Sequence, residues 1–143
     1  MKNGGLEMEN CIFCKILKNE IPSSTVYEDD KFRAIMDIAP INKGHVILLA
    51  KEHTANLLEA DDELLSAALP AAKKVANAVK KTVGCDGINI LQNNGEAAGQ
   101  TVFHLHIHVI PRNKKDGVEL PPPKDKYADG EAAELAKKIN ENL

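Results

Sequence analysis

The chain has 143 residues, of which 43% are hydrophobic, and a formal net charge of −3 at pH 7. This length supports one domain with a proper core and is too short for two comfortable domains. The weak acidity gives no general attraction to nucleic acid or to an anionic membrane, so a phosphate-bearing partner is expected to be a small ligand. No apolar stretch reaches the ~18 residues of a membrane span. We therefore expect a cytoplasmic protein without a membrane or nucleic-acid partner.

The beginning of the chain combines a polar lead-in with a cysteine pair. Residues 1–10 lack the apolar core of a secretory signal and predict a disordered lead-in. Three cysteines in an intracellular chain argue against a disulfide framework. The spacing Cys11-x-x-Cys14 indicates metal binding or redox chemistry, whereas Cys85 is expected to be a small packing residue. Apolar residues at helical spacing predict a short helix over 11–17.

Three strand-like runs come next. Residues 24–28 and 32–37 flank an acidic turn, which predicts a hairpin. Residues 45–50 form an almost continuously apolar run, which is typical of a central strand. Because short turns join successive strands, this part of the chain favours an antiparallel sheet.

A long helix follows the third strand. Acidic capping residues at Asp61-Asp62 precede an apolar stripe over 64–79, and the helix is expected to end near Gly84. Pro70 lies inside this stripe. Because proline removes one backbone hydrogen bond, we expect a kink near Ser66 to Pro70 and not two separate helices.

The most informative segment contains three histidines at alternate positions. Residues 87–92 predict a fourth strand, and residues 101–110 predict a fifth strand that contains His104, His106 and His108. Successive side chains of a strand point to opposite faces, so the three imidazoles are expected to share one face. Imidazole can act as a nucleophile, a proton carrier or a metal ligand near neutral pH. The spacing therefore predicts one chemical face and one core face.

The composition changes after Pro111. Residues 113–126 are polar and contain three consecutive prolines, which predicts an extended connector. Apolar residues at helical spacing over 128–143 predict a terminal helix that docks on the domain or on a partner subunit. Strands that meet in hairpins, with helices set apart, give an α+β domain on an antiparallel sheet.

The run His104-Leu-His-Ile-His-Val-Ile resembles the signature of the histidine triad family. The resemblance extends from Cys11 to Arg112, and the segments Cys11-Ile-Phe-Cys, Gly44-His-Val and Asn93-Asn-Gly-Glu-Ala-Ala-Gly-Gln-Thr are similar to the nucleotide-binding Hint-type branch. The resemblance implies a five-stranded antiparallel sheet with one long and one short helix. It implies a domain over 11–112, followed by a C-terminal extension with a helical tail over 113–143.

The resemblance also assigns roles to four histidines. His106 is implied to attack the α-phosphorus of a nucleoside phosphate derivative and to carry the nucleotidyl group until water removes it. His108 is implied to hold the α-phosphate, His104 to orient the network from behind, and His45 to join from the neighbouring strand. Taken alone, His45 would be better explained as a core histidine; the preceding glycine and the resemblance reverse that preference.

The nucleotide contacts are implied in the same way. The loop before the triad offers glycines, an amide and a hydroxyl, and it lacks the lysine of a P-loop. Asp37 is implied to accept hydrogen bonds from the two ribose hydroxyls, although aspartate is also a common turn residue. Four apolar residues are expected to wall the base, namely Phe13, Ile16, Ile35 and Ile38. Ordinary core packing would also explain them. The implied substrate contacts are Asp37, Ile38, Asn93, Gly99, Gln100, Thr101, Phe13, Ile16 and Ile35.

Cys11, Cys14, His53 and His104 form a second implied set. Two cysteines and two histidines complete a tetrahedral structural zinc site, and some members of the family carry zinc with this pattern. A redox pair is the alternative, but no thioredoxin-like βαβ pattern follows the two cysteines.

The function that these implications predict is hydrolysis of nucleoside 5′-phosphoramidates, AMP joined to an amine, through a covalent nucleotidyl-histidine intermediate. The expected partners are a purine nucleotide, such as AMP or its phosphoramidates, and a second copy of the chain in a homodimer. The homodimer also follows from the long apolar helix and from edge strands that invite pairing. A dinucleoside polyphosphate hydrolase and a non-catalytic, zinc-stabilised nucleotide-binding adaptor are the alternatives.

Overall fold

A computed structural model of the chain describes residues 9–119 and 122–143. The expected lead-in over 1–10 lies outside the described residues except for Glu9 and Asn10, which have helical backbone. The elements are, in chain order, α1 Ile12–Leu17, β1 Thr25–Glu28, β2 Phe32–Met36, β3 Val46–Ala50, α2 Asp62–Val83, β4 Gly87–Leu91, a 3₁₀ turn Glu96–Ala98, β5 His106–Arg112 and α3 Glu131–Glu141.

The five strands form one antiparallel sheet in the order β1-β2-β3-β5-β4. The predicted α+β fold is thereby confirmed. Every residue of the central strand β3 is buried, as the apolar run predicted. In the register of β3 with β5, Leu49 lies opposite His106 and Ile47 lies opposite His108. The central pair of strands therefore holds the histidines at fixed positions.

The sheet separates two apolar clusters, and only one of them borders the histidines. Helix α2 packs on one face, where Leu48, Leu105 and Ile107 are buried. Helix α1 packs on the other face against Ile35, Ile47 and Leu49. Because residues alternate between the faces, His106 and His108 lie on the α1 face. That face carries the two imidazoles, and the α2 face supplies most of the core.

Helix α2 begins and ends as its sequence predicts. The Asp61 carboxylate accepts a hydrogen bond from the Leu64 backbone N–H at 2.8 Å, and Gly84 ends the helix in the left-handed conformation with φ 67°. The helix is continuous through Pro70, so the expectation of one helix and not two is confirmed. Ser66 and Pro70 are both exposed, so water can reach the carbonyl that proline leaves without a partner.

The histidine strand differs from its predicted bounds. His104 lies outside the strand, because β5 begins only at His106, but its ring lies on the α1 side with that of His106, since Phe13 packs against both. The chain bends before the strand, where the Leu105 N–H donates to Thr54 O at 2.7 Å and Leu105 O accepts from the Ala50 N–H at 3.1 Å. These two backbone bonds fix Leu105 directly before the strand.

The other end of this strand extends beyond the predicted end at Ile110. Pro111 lies opposite Ile88 of β4, while the pairing of β3 with β5 ends at Val109. Since no ladder partner lies on the β3 side of Pro111, the missing N–H of proline costs little.

Gly44 is a position that only glycine fits. Its φ is 102°, and a Cβ atom built there would lie 2.9 Å from Val83 Cγ1 at the end of α2. Both the left-handed backbone and the close approach exclude a side chain. Gly44 therefore allows α2 to pack against the turn that delivers His45 to the sheet.

The terminal helix α3 forms as predicted, but it does not dock on its own domain. All residues from 122 to 143 are exposed, including Leu135 at 40% and Ile139 at 62%. Within the described part of the chain, no helix is long and apolar enough to cross a membrane.

Candidate active site and metal site

The His106 side chain has one ring nitrogen fixed and one free. Its Nδ1 lies 2.5 Å from the backbone oxygen of His104, and because a carbonyl can only accept, Nδ1 must carry the proton. In the neutral ring, Nε2 then keeps its lone pair. Burial lowers the pKa of His106, and the Phe13 ring packs edge-on at 4.9 Å between centroids. The residue is held as a neutral imidazole with a defined nucleophilic atom.

His45 and His108 form a hydrogen-bonded pair beside it. The Ile41 N–H donates to His45 Nδ1 at 3.1 Å, so the neutral His45 ring carries its proton on Nε2. This atom lies 2.9 Å from His108 Nδ1, which must therefore accept, and the His108 proton is on Nε2. Burial and the neighbouring His106 and His45 lower the pKa of His108 to about 4. A single backbone N–H thus sets the tautomer of both rings.

Asp37 lies at the outer end of this pair. Its Oδ1 accepts from the Ala39 N–H at 2.8 Å, and its Oδ2 lies 3.5 Å from His45 Nε2.

Ile35 is buried on the same face as α1, whereas Ile38 is 98% exposed. Of the residues predicted to wall the base, Phe13, Ile16 and Ile35 lie together in the α1 cluster, and Ile38 lies apart from it.

The loop over 93–101 is braced by Gln100. This side chain is 2% exposed. Its Oε1 accepts from the Gly95 N–H at 2.9 Å, and its Nε2 donates to Ala55 O at 2.7 Å and to Val102 O at 3.1 Å. The amide is fully used within the protein, so its role is to shape the loop. Gly99 has φ 96°, with the Asn93 amide nearby, and Thr101 is exposed.

The second group of side chains converges between α1 and the segment after β3. His53 Nδ1 lies 3.1 Å from His104 Nδ1 and 3.2 Å from Cys14 Sγ. Cys11 Sγ lies 3.4 Å from His104 Nδ1. All four ligand atoms lie within 4.8 Å of one another. The predicted set of Cys11, Cys14, His53 and His104 is therefore brought together.

The chemistry of this donor set fits a zinc ion. Tetrahedral Zn²⁺ places its ligand atoms roughly 3.3–3.8 Å apart when the bonds are about 2.0 Å to nitrogen and about 2.3 Å to sulfur. His104 Nε2 donates to Ala50 O at 2.6 Å, which directs the Nδ1 lone pair at the cluster, as outer hydrogen bonds do for metal-binding histidines. Burial and the neighbouring Cys11 raise the pKa of Cys14 to about 11. A divalent cation is what would convert such a buried thiol into a thiolate.

Several contributors to the site carry no side-chain signal in the sequence. Ala50 O and the Ile41 N–H set histidine tautomers, but they are backbone groups that any residue provides. Arg33 ties α1 to β2, because its Nη1 donates to Ile16 O at 3.1 Å and to Asn19 Oδ1 at 3.2 Å. Only a three-dimensional structure reveals these contacts.

Comparison with known proteins agrees with this architecture. Residues 18–115 match the HIT domain, and the chain belongs to the HIT domain family. Protein hit of Bacillus subtilis is 48% identical over 110 residues, which are 76% of this chain and 76% of that protein. The adenosine 5′-monophosphoramidase hnt1 of Schizosaccharomyces pombe is 38% identical over 135 residues, 94% of this chain and 98% of that protein. Adenylylsulfatase HINT3 of Arabidopsis thaliana is 41% identical over 107 residues, 75% of this chain and 54% of that protein.

Two solved structures extend the comparison beyond the domain core. The crystal structure of SMU.412c from Streptococcus mutans has a TM-score of 0.91 at 37% identity and covers 99% of this chain and 90% of its own. A zinc-bound histidine triad family protein from Mycobacterium smegmatis has a TM-score of 0.74 at 31% identity, with 95% of this chain and 99% of that chain covered.

Proposed function

We propose that this chain is a hydrolase that cleaves nucleoside 5′-phosphoramidates of the AMP-amine type through a nucleotidyl-His106 intermediate. The observation that carries the proposal is the tautomer of His106, whose Nδ1 proton is held by His104 O so that Nε2 keeps a free lone pair. A neutral imidazole with such a nitrogen is a competent phosphorus nucleophile. The relative from S. pombe, which is named as an adenosine 5′-monophosphoramidase, supports the substrate class.

In the first step, the Nε2 lone pair of His106 forms a bond to the α-phosphorus while the P–N bond to the amine breaks. His108, with its proton on Nε2, would donate a hydrogen bond to a phosphoryl oxygen as negative charge develops there. Asp37 would accept hydrogen bonds from the ribose hydroxyls. The departing amine takes the bonding electrons and acquires a proton from solvent.

In the second step, water attacks the same phosphorus and the bond to His106 breaks, which restores the free imidazole and releases the nucleoside monophosphate. Two steps through a covalent intermediate replace one difficult displacement. The hydrogen bond to His104 O stabilises the positive charge that His106 carries while it is linked to phosphorus. The same bond therefore serves both steps.

We propose zinc as the structural cofactor, held by Cys11 Sγ, Cys14 Sγ, His53 Nδ1 and His104 Nδ1. Four protein ligands leave no open position, so the ion would stabilise the fold and would not take part in the reaction. The zinc-bound relative from M. smegmatis supports this identity of the metal. Bound there, zinc would tie α1 to the segment that precedes β5.

A homodimer and a cytoplasmic location complete the proposal. Ile90 on the edge strand β4 and Leu69 on α2 are large exposed apolar residues that a second copy could cover. Sedimentation at micromolar concentration tests the dimer. The three cysteines are free and buried, which is compatible with a reducing compartment.

The experiment that tests the mechanism is capture of the intermediate. Rapid alkaline quench of the enzyme with an α-³²P-labelled AMP-amine substrate should leave label on the protein, and alkaline digestion should place it on the peptide that contains His106. A phosphorus–nitrogen bond to histidine is labile in acid and stable in alkali, so the label should survive only alkaline digestion. Turnover without labelled protein, under conditions in which the first step outpaces the second, would contradict the covalent mechanism.

A substrate panel decides between the reaction classes. Steady-state kcat/KM should be highest for the phosphoramidate and lower for a diadenosine polyphosphate and for adenylyl sulfate, the substrate type that the name of the A. thaliana relative suggests. A higher value for the polyphosphate would favour the dinucleoside polyphosphate hydrolase. Binding of AMP without turnover of any of the three would favour the adaptor.

A further inference from the structure

Cys11 and Cys14 are two thiols that the proposed hydrolysis does not use. Cys11 is the N-cap residue of α1, and its Sγ accepts a hydrogen bond from the Cys14 N–H at 3.4 Å. Residues three positions apart in a helical turn have Cα atoms roughly 5 Å apart, inside the range of about 4.4–6.8 Å that a disulfide requires. A disulfide can therefore join the two cysteines without a change in the course of the backbone.

Cys14 lines a surface cavity of about 340 Å³ whose other lining residues are rich in cations. Lys18, Arg33 and Lys51 line this cavity, which we call the basic cavity, together with one carboxylate, Glu28. Lys51 Nζ lies 2.9 Å and Arg33 Nη2 lies 3.3 Å from Glu28 Oε1. One carboxylate among three cations leaves an excess of positive charge. The approach to Cys14 therefore favours a small anion.

The cavity beside Cys11 has a different character. It has a volume of about 770 Å³, and its lining includes Glu59, Thr101 and Phe103. Among the described residues that line it, none is a lysine or an arginine. An anionic reagent is thus directed to Cys14 from the basic cavity. Cys11 is the second thiol within reach, because the ligand atoms of the cluster lie within 4.8 Å of one another.

We propose that Cys14 and Cys11 form a redox modification site for small disulfides that carry carboxylate groups. The Cys14 thiolate attacks one sulfur of the reagent, which forms a mixed disulfide and releases one reagent thiolate. The Cys11 thiolate then attacks Cys14 Sγ, which forms the Cys11–Cys14 disulfide and releases the second reagent thiolate. Two electrons pass from the cysteine pair to the reagent, and no further reactant is consumed.

The inference rests on the proposed zinc site, because a bound cation holds both sulfurs as the thiolates that react. The disulfide removes two of the four ligands, so oxidation should release the ion and leave only His53 and His104 in the cluster. The modification thus couples the redox state of small thiols to the metal content of the chain.

Zinc release and disulfide formation are measured together in a Cys85→Ser protein, in which Cys11 and Cys14 are the only cysteines. After elemental analysis, oxidised glutathione is added and released zinc is measured with a chromogenic chelator. Zinc release should accompany the loss of both free thiols, and mass spectrometry should find a chain lighter by two hydrogen atoms. With Cys11→Ser in addition, the reaction should stop at the mixed disulfide on Cys14.

The charge of the basic cavity is tested by a ratio of two rates. The rate with oxidised glutathione, an anion, is divided by the rate with cystamine, a cationic disulfide, which cancels the intrinsic reactivity of the thiols. The double variant Lys18→Gln with Lys51→Gln should lower this ratio by about 10-fold. The matched control, Lys73→Gln with Lys80→Gln, removes two exposed lysines of α2 and should leave the ratio unchanged. Circular dichroism should show that all variants remain folded.

Two results would overturn the inference. One is the absence of the Cys11–Cys14 disulfide after treatment with oxidised glutathione. The other is a rate ratio that stays the same in the Lys18→Gln, Lys51→Gln protein. A protein without zinc before oxidation would instead contradict the proposed cofactor, and the disulfide and the rate ratio would still decide whether the cysteine pair is a modification site.

Discussion

The two histidine clusters are built from the same side chain, two residues apart in the sequence, yet they use opposite ring nitrogens. The Nδ1–H of His106 donates a hydrogen bond to His104 O, so Nε2 keeps its lone pair. The Nε2–H of His104 donates to Ala50 O, so Nδ1 keeps its lone pair. In the catalytic cluster of His45, His106 and His108, each ring has at least one nitrogen in a hydrogen bond within the protein. In the cysteine cluster, two Nδ1 atoms and two sulfur atoms face one another at 3.1 to 3.5 Å.

This difference shows how one residue type serves two purposes. A backbone carbonyl selects the tautomer of each ring, and the tautomer decides which nitrogen keeps its lone pair. The catalytic cluster is complete as a hydrogen-bonded network. The cysteine cluster has the donor set of a metal site. The predictions below separate these two descriptions.

Removal of the nucleophile should have the largest effect. His106→Ala should lower kcat by about 10⁴-fold or more, because no other ring in the cluster has a free nitrogen held in the same place. AMP affinity, measured by calorimetry, should change by no more than a few-fold. Asn77→Ala, an exposed position on α2, is the control. A His106→Ala enzyme that keeps a tenth of the wild-type kcat would refute His106 as the nucleophile.

Removal of one thiol should distinguish the cysteine cluster from an ordinary buried core. Cys14→Ser should lower the zinc content, measured by elemental analysis of untagged protein, from about one ion per chain to near zero, and should lower the melting temperature by about 10 °C.

Cys85→Ser provides the matched control for that substitution, since Cys85 is buried but lies outside the cluster. It should leave the zinc content unchanged and cost less stability. Equal losses of stability, without metal in either protein, would mean that Cys14 is only a packing residue.

Interruption of the histidine pair should have an intermediate effect on catalysis. His45→Ala should lower kcat by about 10²-fold with a smaller change in KM, because His108 Nδ1 loses the donor that fixes its tautomer. The control is Asn42→Ala, which alters the same loop through its hydrogen bond to Pro111 O at 2.9 Å. If both variants lose the same activity, His45 supports the loop and does not orient His108.

The smallest effect concerns the pH dependence of stability. His108 has its pKa lowered from 6.5 to about 4 in the folded protein. Below pH 6.5, His108 binds a proton in the unfolded chain but not in the folded chain. The contribution of neutral His108 to the free energy of unfolding is therefore full above pH 6.5 and declines as the pH falls from 6.5 to 4. Urea unfolding at several pH values should show a shallower decline for His108→Asn than for the unmodified protein. Parallel curves would contradict a neutral, buried His108, and the comparison cancels the contribution of metal loss.

The sequence predicted more of the fold than of the geometry inside the site. Alternating histidines and the apolar run of β3 were sufficient for the sheet, and Asp61 and Gly84 were sufficient for the ends of α2, because these features act through local periodicity and capping. The residue at which β5 begins could not be predicted in this way. It depends on the backbone bonds of Leu105 to Thr54 and Ala50, which join residues about fifty positions apart in the chain.

Gln100 illustrates the same limit within the phosphate loop. The family resemblance implies that Gln100 contacts the substrate. The structure instead places its side chain against Gly95, Ala55 and Val102. Whether the Gln100 amide faces inward depends on which backbone carbonyls the fold brings within hydrogen-bond distance. The local sequence does not determine those distances.

The contacts of His104 constrain any redesign of this protein without a metal. The carbonyl oxygen of His104 accepts a hydrogen bond from His106 Nδ1, and its Nε2 donates to Ala50 O at the end of β3. Its Nδ1 lies 3.1 Å from His53 Nδ1. Replacement of Cys11 and Cys14 by an apolar pair would leave His53 Nδ1 and His104 Nδ1 facing each other without the two thiols. Because the His104 proton is on Nε2, a working redesign needs a donor to His104 Nδ1, which is either His53 with its proton on Nδ1 or the amide of a His53→Gln variant. The success of such a variant would be judged by whether the His106 ring keeps its orientation.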